Sequence, residues 1–226
     1  MSVVANIYSP DPKPGQERAA FKLDAPAEAA VLRLAKDKES LIRADAIELL
    51  GETQDKKYAN VFMPALNDPS YSVIDNAATA IARIKDPAAF EALSKLAKTP
   101  SWKGRIMTAG LNGLAELGDK RAFDIGYKIA TDASIPKNQR TVALAVVGAT
   151  GKGDPRAYPL IFAEFKSAYD ANNIGGIVNG LAAIAKIGDP RGQEAFDLMK
   201  TKFKDNPGAM QFIAAQEAQF KAASGQ

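Results

Sequence analysis

The sequence predicts an all-α fold in which about six helical pairs stack one on the next into a curved rod. Three observations carry this. Five segments close a helical run with an aspartate (GETQD, ARIKD, AELGD, TGKGD and AKIGD), and Asp55, Asp86, Asp119, Asp154 and Asp189 are separated by 31, 33, 35 and 35 residues. Nine positions before each aspartate stands a small residue: Ala46, Ala77, Gly110, Ala145 and Gly180. Apolar residues recur at helical spacing through each period, as in Tyr58, Val61, Phe62, Ala65 and Leu66. A pair of amphipathic helices buries one stripe internally and leaves another that only the next pair can cover.

The first element, residues 1–25, stands outside the repeat. Strand-like runs at Val3–Tyr8 and Arg18–Leu23 flank a turn-rich stretch with Pro10, Pro12 and Pro14. That pattern fits a short hairpin, an extended cap or the remnant of an upstream β domain. The repeat domain, 26–226, follows. Its helices are expected at 26–36 with 40–50, 57–66 with 71–84, 88–98 with 103–117, 121–131 with 138–149, 156–168 with 173–187, and 191–204 with 208–222.

Breaker residues set these limits. Pro69, Pro100, Pro136 and Pro207 fall between the two helices of a pair. Pro87, Pro155 and Pro190 follow the aspartate, where a first-turn proline forfeits no intrahelical hydrogen bond. The aspartate can cap the orphan amides of the helix it opens, and Gly118, Gly153 and Gly188 just before it can end the preceding helix in a left-handed residue. Two residues after each aspartate comes Lys57, Ala88, Arg121, Arg156 or Arg191, with an aromatic close behind: Tyr58, Phe90, Phe123, Tyr158 or Phe196. Second helices are rich in small residues. Glycine inside a helix costs roughly 0.5 to 1 kcal/mol relative to alanine, so Gly110, Gly113 and Gly180 are expected where neighbouring layers crowd.

Composition excludes much chemistry. Of 226 residues 46% are apolar and 24% charged, which describes a chain able to bury a core, and there is no cysteine and no histidine. Disulfides, thiol nucleophiles, imidazole or thiolate zinc sites and every mechanism needing a histidine base are therefore excluded. A net charge of +3 from 29 basic and 26 acidic residues argues against nucleic acid as a partner. No run of apolar residues reaches membrane-spanning length and no signal peptide is recognisable, so a soluble chain with no membrane partner is expected, its compartment left open.

The remaining candidates for chemistry have structural explanations. GATGKG at 148–153 departs from a phosphate loop, with Val146 where the first glycine is needed and Gly153 where a hydroxyl is needed. The repeated aspartates lie one layer apart, about 10 Å by helix-to-helix spacing, too far to share an ion. Asp45, Glu48, Glu52, Asp75 and Glu116 read as acids on solvated helix faces rather than a hydrolytic pair. Trp102, the only tryptophan, is expected to fold over the adjacent layer; an exposed position would mark a partner anchor. No cofactor or metal is expected. The surface suited to a partner is the concave face of the second helices, with Asn76, Thr79 and Arg83, then Thr108, Asn112 and Glu116, then Asn172, Asn173 and Asn179. These short hydrogen-bonding groups suit a protein or peptide backbone and suit phosphate poorly.

The segment DKKYANVFMPALNDPSYSV from Asp55, with DPRAYPLIFAEF from Asp154 and DPRGQEAFDLM from Asp189, resembles HEAT-like helical repeats. That resemblance, over about residues 25–223, implies a right-handed α–α superhelix. Ile74 stands where such repeats usually carry an arginine, so an arginine ladder along the second helices is not implied. A narrower resemblance, in the run from Leu41 to Ile84 and in GATGKGDPRAYPL from Gly148, is to the C-terminal helical region of bacterial zinc aminopeptidases of the aminopeptidase N family. It implies a non-catalytic accessory domain serving an upstream catalytic domain of the same polypeptide, because the H-E-x-x-H motif has no counterpart here. The alternatives are a free-standing scaffold that holds a protein or peptide in its groove, and an enzyme such as the phycobilin lyases, which also use HEAT-like repeats.

Overall fold

A computed structural model describes residues 22–225. The strand-like run at Val3–Tyr8, the proline-rich stretch after it and most of Arg18–Leu23 lie outside the described residues. Twelve α-helices follow in six pairs: α1 (Ala25–Leu34) with α2 (Ser40–Glu52), α3 (Ala59–Ala65) with α4 (Tyr71–Arg83), α5 (Ala89–Leu96) with α6 (Arg105–Leu117), α7 (Phe123–Thr131) with α8 (Lys137–Thr150), α9 (Ala157–Asp170) with α10 (Ile174–Ile187), and α11 (Gln193–Lys202) with α12 (Pro207–Ser224). No strand occurs among the described residues. The helices divide into two units, the first ending at Leu117 and the second beginning at Gly118. Within each, consecutive pairs stack in HEAT-like fashion, the second helices forming the inner contacts α2–α4–α6 and α8–α10–α12.

The layer turns explain the repeat. All five aspartates accept from the amide two residues on: Lys57 to Asp55 at 3.0 Å, Ala88 to Asp86 at 2.8 Å, Arg121 to Asp119 and Arg156 to Asp154 at 2.9 Å, and Arg191 to Asp189 at 3.0 Å. This short reach tightens the entry, so three first helices start with a single 3₁₀ turn (Lys56–Tyr58, Lys120–Ala122 and Pro190–Gly192) where the sequence predicts α-helix from 57, 121 and 191. Gly118, Gly153 and Gly188 have φ of +66°, +86° and +64°, and the same place is left-handed in the other two repeats, where Gln54 and Lys85 both have φ of +52°. Lys85 compensates: its Nζ donates to the carbonyls of Glu116 and Leu117, both at 2.8 Å, satisfying the C-terminus of α6.

The predicted crowding of the helical glycines is met. A Cβ on Gly110 would lie 2.3 Å from the Ala97 amide nitrogen, one on Gly113 2.5 Å from Leu93 Cδ2, and one on Gly180 2.8 Å from Phe165 Cβ. Ala46 and Ala77 are likewise buried, but Ala145 is exposed, so in α8 the small residue answers no packing demand.

The units fasten their layers differently. In the first, Arg43 reaches from α2 to Asp68 with two bonds of 2.9 and 2.8 Å and also donates to the carbonyls of Asp37 and Lys38. That guanidinium holds the Asp68 carboxyl below the usual carboxylate range. In the second, Arg156 lies over the rings of Phe123 and Tyr127 and pairs with both Asp154 and Asp124, while Arg191 lies over Tyr158, 4.7 Å from its centroid. The buried Tyr158 hydroxyl donates to the Arg191 carbonyl at 2.9 Å, and burial pushes its pKa up to about 12. Phe165, Phe196, Phe220, Leu181 and Ile184 complete that core without solvent contact.

Candidate interaction face

The site-forming side chains of the first unit stand on α4 and α6. Equal offsets from the layer aspartates place them in rows. Glu48, Thr79 and Asn112 each precede their aspartate by seven residues, and Glu52, Arg83 and Glu116 by three. Packing of α2 on α4 and of α4 on α6 sets successive members of a row side by side.

Of the predicted residues, the structure brings Arg83 and Glu116 into direct contact, Nε to Oε1 at 3.5 Å, with both side chains partly exposed. Such a solvated pair contributes about 0.2 to 1 kcal/mol, so breaking it costs little. Thr79 is half-buried and its hydroxyl donates to the Asp75 carbonyl one turn earlier. Thr108 is half-buried and Asn112 is exposed. Asn76 has a structural duty: its Nδ2 donates to the Ala44 carbonyl at 2.9 Å, tying α4 to α2. The surface thus carries the Asn112 amide and the Thr108 hydroxyl beside one solvated ion pair.

The acids of α2 belong to the same face. Glu48 shares the row of Thr79 and Asn112, and Asp45 is exposed one turn before it. The row offset, applied to the first repeat, is the signal that assigns Glu48 to this surface, where residue type alone makes it a solvated acid. Neither Asp45 nor Glu48 has an ion-pair partner among the described residues, so the face is acidic at its α2 edge.

In the second unit the three predicted asparagines divide. Asn173 caps α10, its Oδ1 accepting from the Gly176 amide at 3.2 Å, and Asn172 is the left-handed residue of the preceding turn with φ of +52°. Asn179 is exposed on α10. That face also carries the exposed Lys186, three residues before Asp189, and small side chains including Ala182 on α10 and Ala214 and Ala215 on α12. Hydrogen-bonding groups free to meet a ligand are therefore fewer here than on α4 and α6.

Trp102 departs from expectation. It does not fold over the neighbouring layer but stands 66% exposed at the entry to α6. Among the described residues no group of three or more acidic side chains converges as a metal site would require, and no helix is long and apolar enough to cross a membrane.

Residues 27–112 match the family model for HEAT repeats. The structure of the complex of CpcE and CpcF of phycocyanin lyase from Nostoc sp. PCC7120 contains a chain similar to this one, with a TM-score of 0.56 at 15% identity over 93% of this chain and 100% of that one. An engineered protein of known structure gives a TM-score of 0.49 at 14% identity, covering 86% of this chain and 96% of its own. A computationally designed armadillo repeat protein for modular peptide recognition gives 0.41 at 17% identity, covering 84% and 98%. No curated protein sequence matches the chain. The fold is that of a HEAT-repeat helical solenoid.

Proposed function

We propose that this chain is a protein-interaction scaffold that holds a segment of a partner against the open face of its second helices, with α4 and α6 as the principal contact. The observation that carries this is the row geometry. Asn112 and Thr108 stand with the solvated Arg83–Glu116 pair on one supported surface, and short amide and hydroxyl groups at helical spacing can satisfy the alternating donors and acceptors of a peptide backbone. The acidic α2 edge favours a segment with basic residues at one end. A chain without cysteine or histidine offers the commonest nucleophiles and bases nothing to start from, so we read it as a binder rather than an enzyme. The lyase in the Nostoc structure describes that protein; what the two share at 15% identity is the fold.

A pull-down from source lysate tests this reading, comparing the unmodified chain with Asn112→Arg and Thr79→Lys. Asn112 is exposed and Thr79 half-buried on the α4–α6 shelf. Partner recovery should fall at least tenfold with unchanged helical circular dichroism, and equal recovery by all three proteins would refute use of this face. A second reading, the accessory domain of a zinc aminopeptidase, is favoured by the resemblance of residues 41–84 and 148–160 to that helical region. It requires a catalytic domain encoded immediately upstream.

A further inference from the structure

The turn between α5 and α6 carries an apolar and cationic surface that the stacking does not use. Trp102 is the chain's only tryptophan, and most of its surface faces solvent. Between Glu91 and Glu116 the sequence holds Lys95, Lys98, Lys103 and Arg105 and no acid. All four are exposed, and none forms an ion pair among the described residues. At the α1–α2 turn the exposed Lys36 and Lys38 alternate with Asp37 and Glu39, so the local charge is balanced, whereas the α5–α6 turn has no acid to offset its cations. The uncompensated charge of this turn thus flanks the exposed indole in sequence, and the Lys103 Nζ lies 4.4 Å from its ring centroid.

The turn holds this arrangement firmly. Ser101 Oγ accepts from the Ile106 amide at 2.9 Å and the Gly104 amide donates to the Ser101 carbonyl at 3.0 Å. Lys103 and Gly104 are both left-handed, with φ of +51° and +66°, a costly choice for a lysine. A fixed aromatic spends little entropy on docking, and tryptophan beside cations can anchor a contact through area and charge together.

We propose that this turn is a docking point for an acidic segment of a protein partner, in which an apolar side chain covers Trp102 while flanking carboxylates meet Lys98, Lys103 and Arg105. The inference rests on the reading of the chain as a protein-interaction module, but it concerns the pair-turn edge and not the shelf of α4 and α6. Complementary charge decides the occupant. Single-stranded nucleic acid is disfavoured because it needs successive rings for successive bases, and one ring is present.

The test uses the full chain and a fluorescein-labelled peptide of glutamates around a central leucine, followed by anisotropy and by Trp102 emission. Saturable binding with a blue shift is expected, weakening as salt rises because surface charges are screened. Lys103→Glu with Arg105→Glu should weaken binding about tenfold or more, and Trp102→Ala should do likewise, each variant keeping its circular dichroism. Asn112→Arg should leave this titration unchanged, so failure here and failure of the helical shelf are separate results. Absence of saturation, equal binding of the matching lysine peptide, or tighter binding of oligothymidylate would overturn the proposal.

Discussion

The two units solve one packing problem with different materials. Ten aromatic residues lie from Phe123 onward, against five among the described residues before Gly118. The second unit turns most of them inward, stacking Tyr158 on Phe162 at 5.3 Å and setting Phe196 against Phe220 at 5.1 Å. Both units bring helical glycines close to a neighbour and clip side chains to carbonyls of the next layer, but the first does so with half as many rings to fill its core. The difference bears on function, because the first unit keeps its one tryptophan and several unpaired charges on the outside, where a partner can reach them.

Substitutions can break or sharpen this contrast. The largest effect should come from Phe165→Ala in the second unit, which empties a ring-sized space in a solvent-free core and should cost about 4 kcal/mol in urea unfolding; a loss below about 1 kcal/mol would show that the aromatic core is dispensable. Next, Gly110→Ala in the first unit should cost about 2 kcal/mol, because the added methyl meets the backbone of Ala97 and not a side chain that could swing away. A neutral or stabilising result would mean that α5 and α6 can separate freely. Smaller still, Tyr158→Phe and Asn76→Ala each remove one layer-to-layer hydrogen bond and should each cost about 1 kcal/mol. Thermal scans of both variants would show whether the units lean equally on such bonds.

The smallest and most diagnostic effect concerns the left-handed positions. Gln54→Gly should stabilise by about 0.5 to 1 kcal/mol by relieving the strain of φ at +52°. Lys85→Gly should fail to stabilise, since it discards the two bonds to the end of α6. Across pH the chain should be nearly flat through neutrality, having no histidine. The carboxyls of Asp68, Asp119, Asp154, Asp189 and Glu217 all titrate below their ordinary values because cationic side chains hydrogen-bond to them. A lowered native pKa gives stability that is present above the unfolded value and is lost as pH falls through the native one, so the melting temperature should drop below about pH 4.

Much of this architecture was legible because local chemistry determines it. The aspartate turns, the proline breaks and the crowded glycines follow from backbone geometry and declare themselves by residue type and spacing. The left-handed backbone at Gln54 and Lys85 did not, since neither residue type prefers it. Site residues were legible by row but not by employment: Asn76, Asn112 and Asn173 are the same residue type on or just before second helices, yet one ties α4 to α2, one faces solvent and one caps α10. Which of these an asparagine does depends on the carbonyls and amides that stacking brings within reach. Trp102 differs from expectation for a related reason: its turn is built on a left-handed Lys103, a backbone that residue type does not declare.

The claim that partners engage the second-helix face is tested most directly by site-specific photocrosslinking. A benzophenone amino acid replaces Asn112 on α6 in one protein and the exposed Glu91 on α5 in another, and each is irradiated in source lysate. A discrete adduct at 112, displaced when unmodified chain is added in excess, with none at 91, is the predicted result. Adducts of equal yield at both positions, or none at 112, would contradict it.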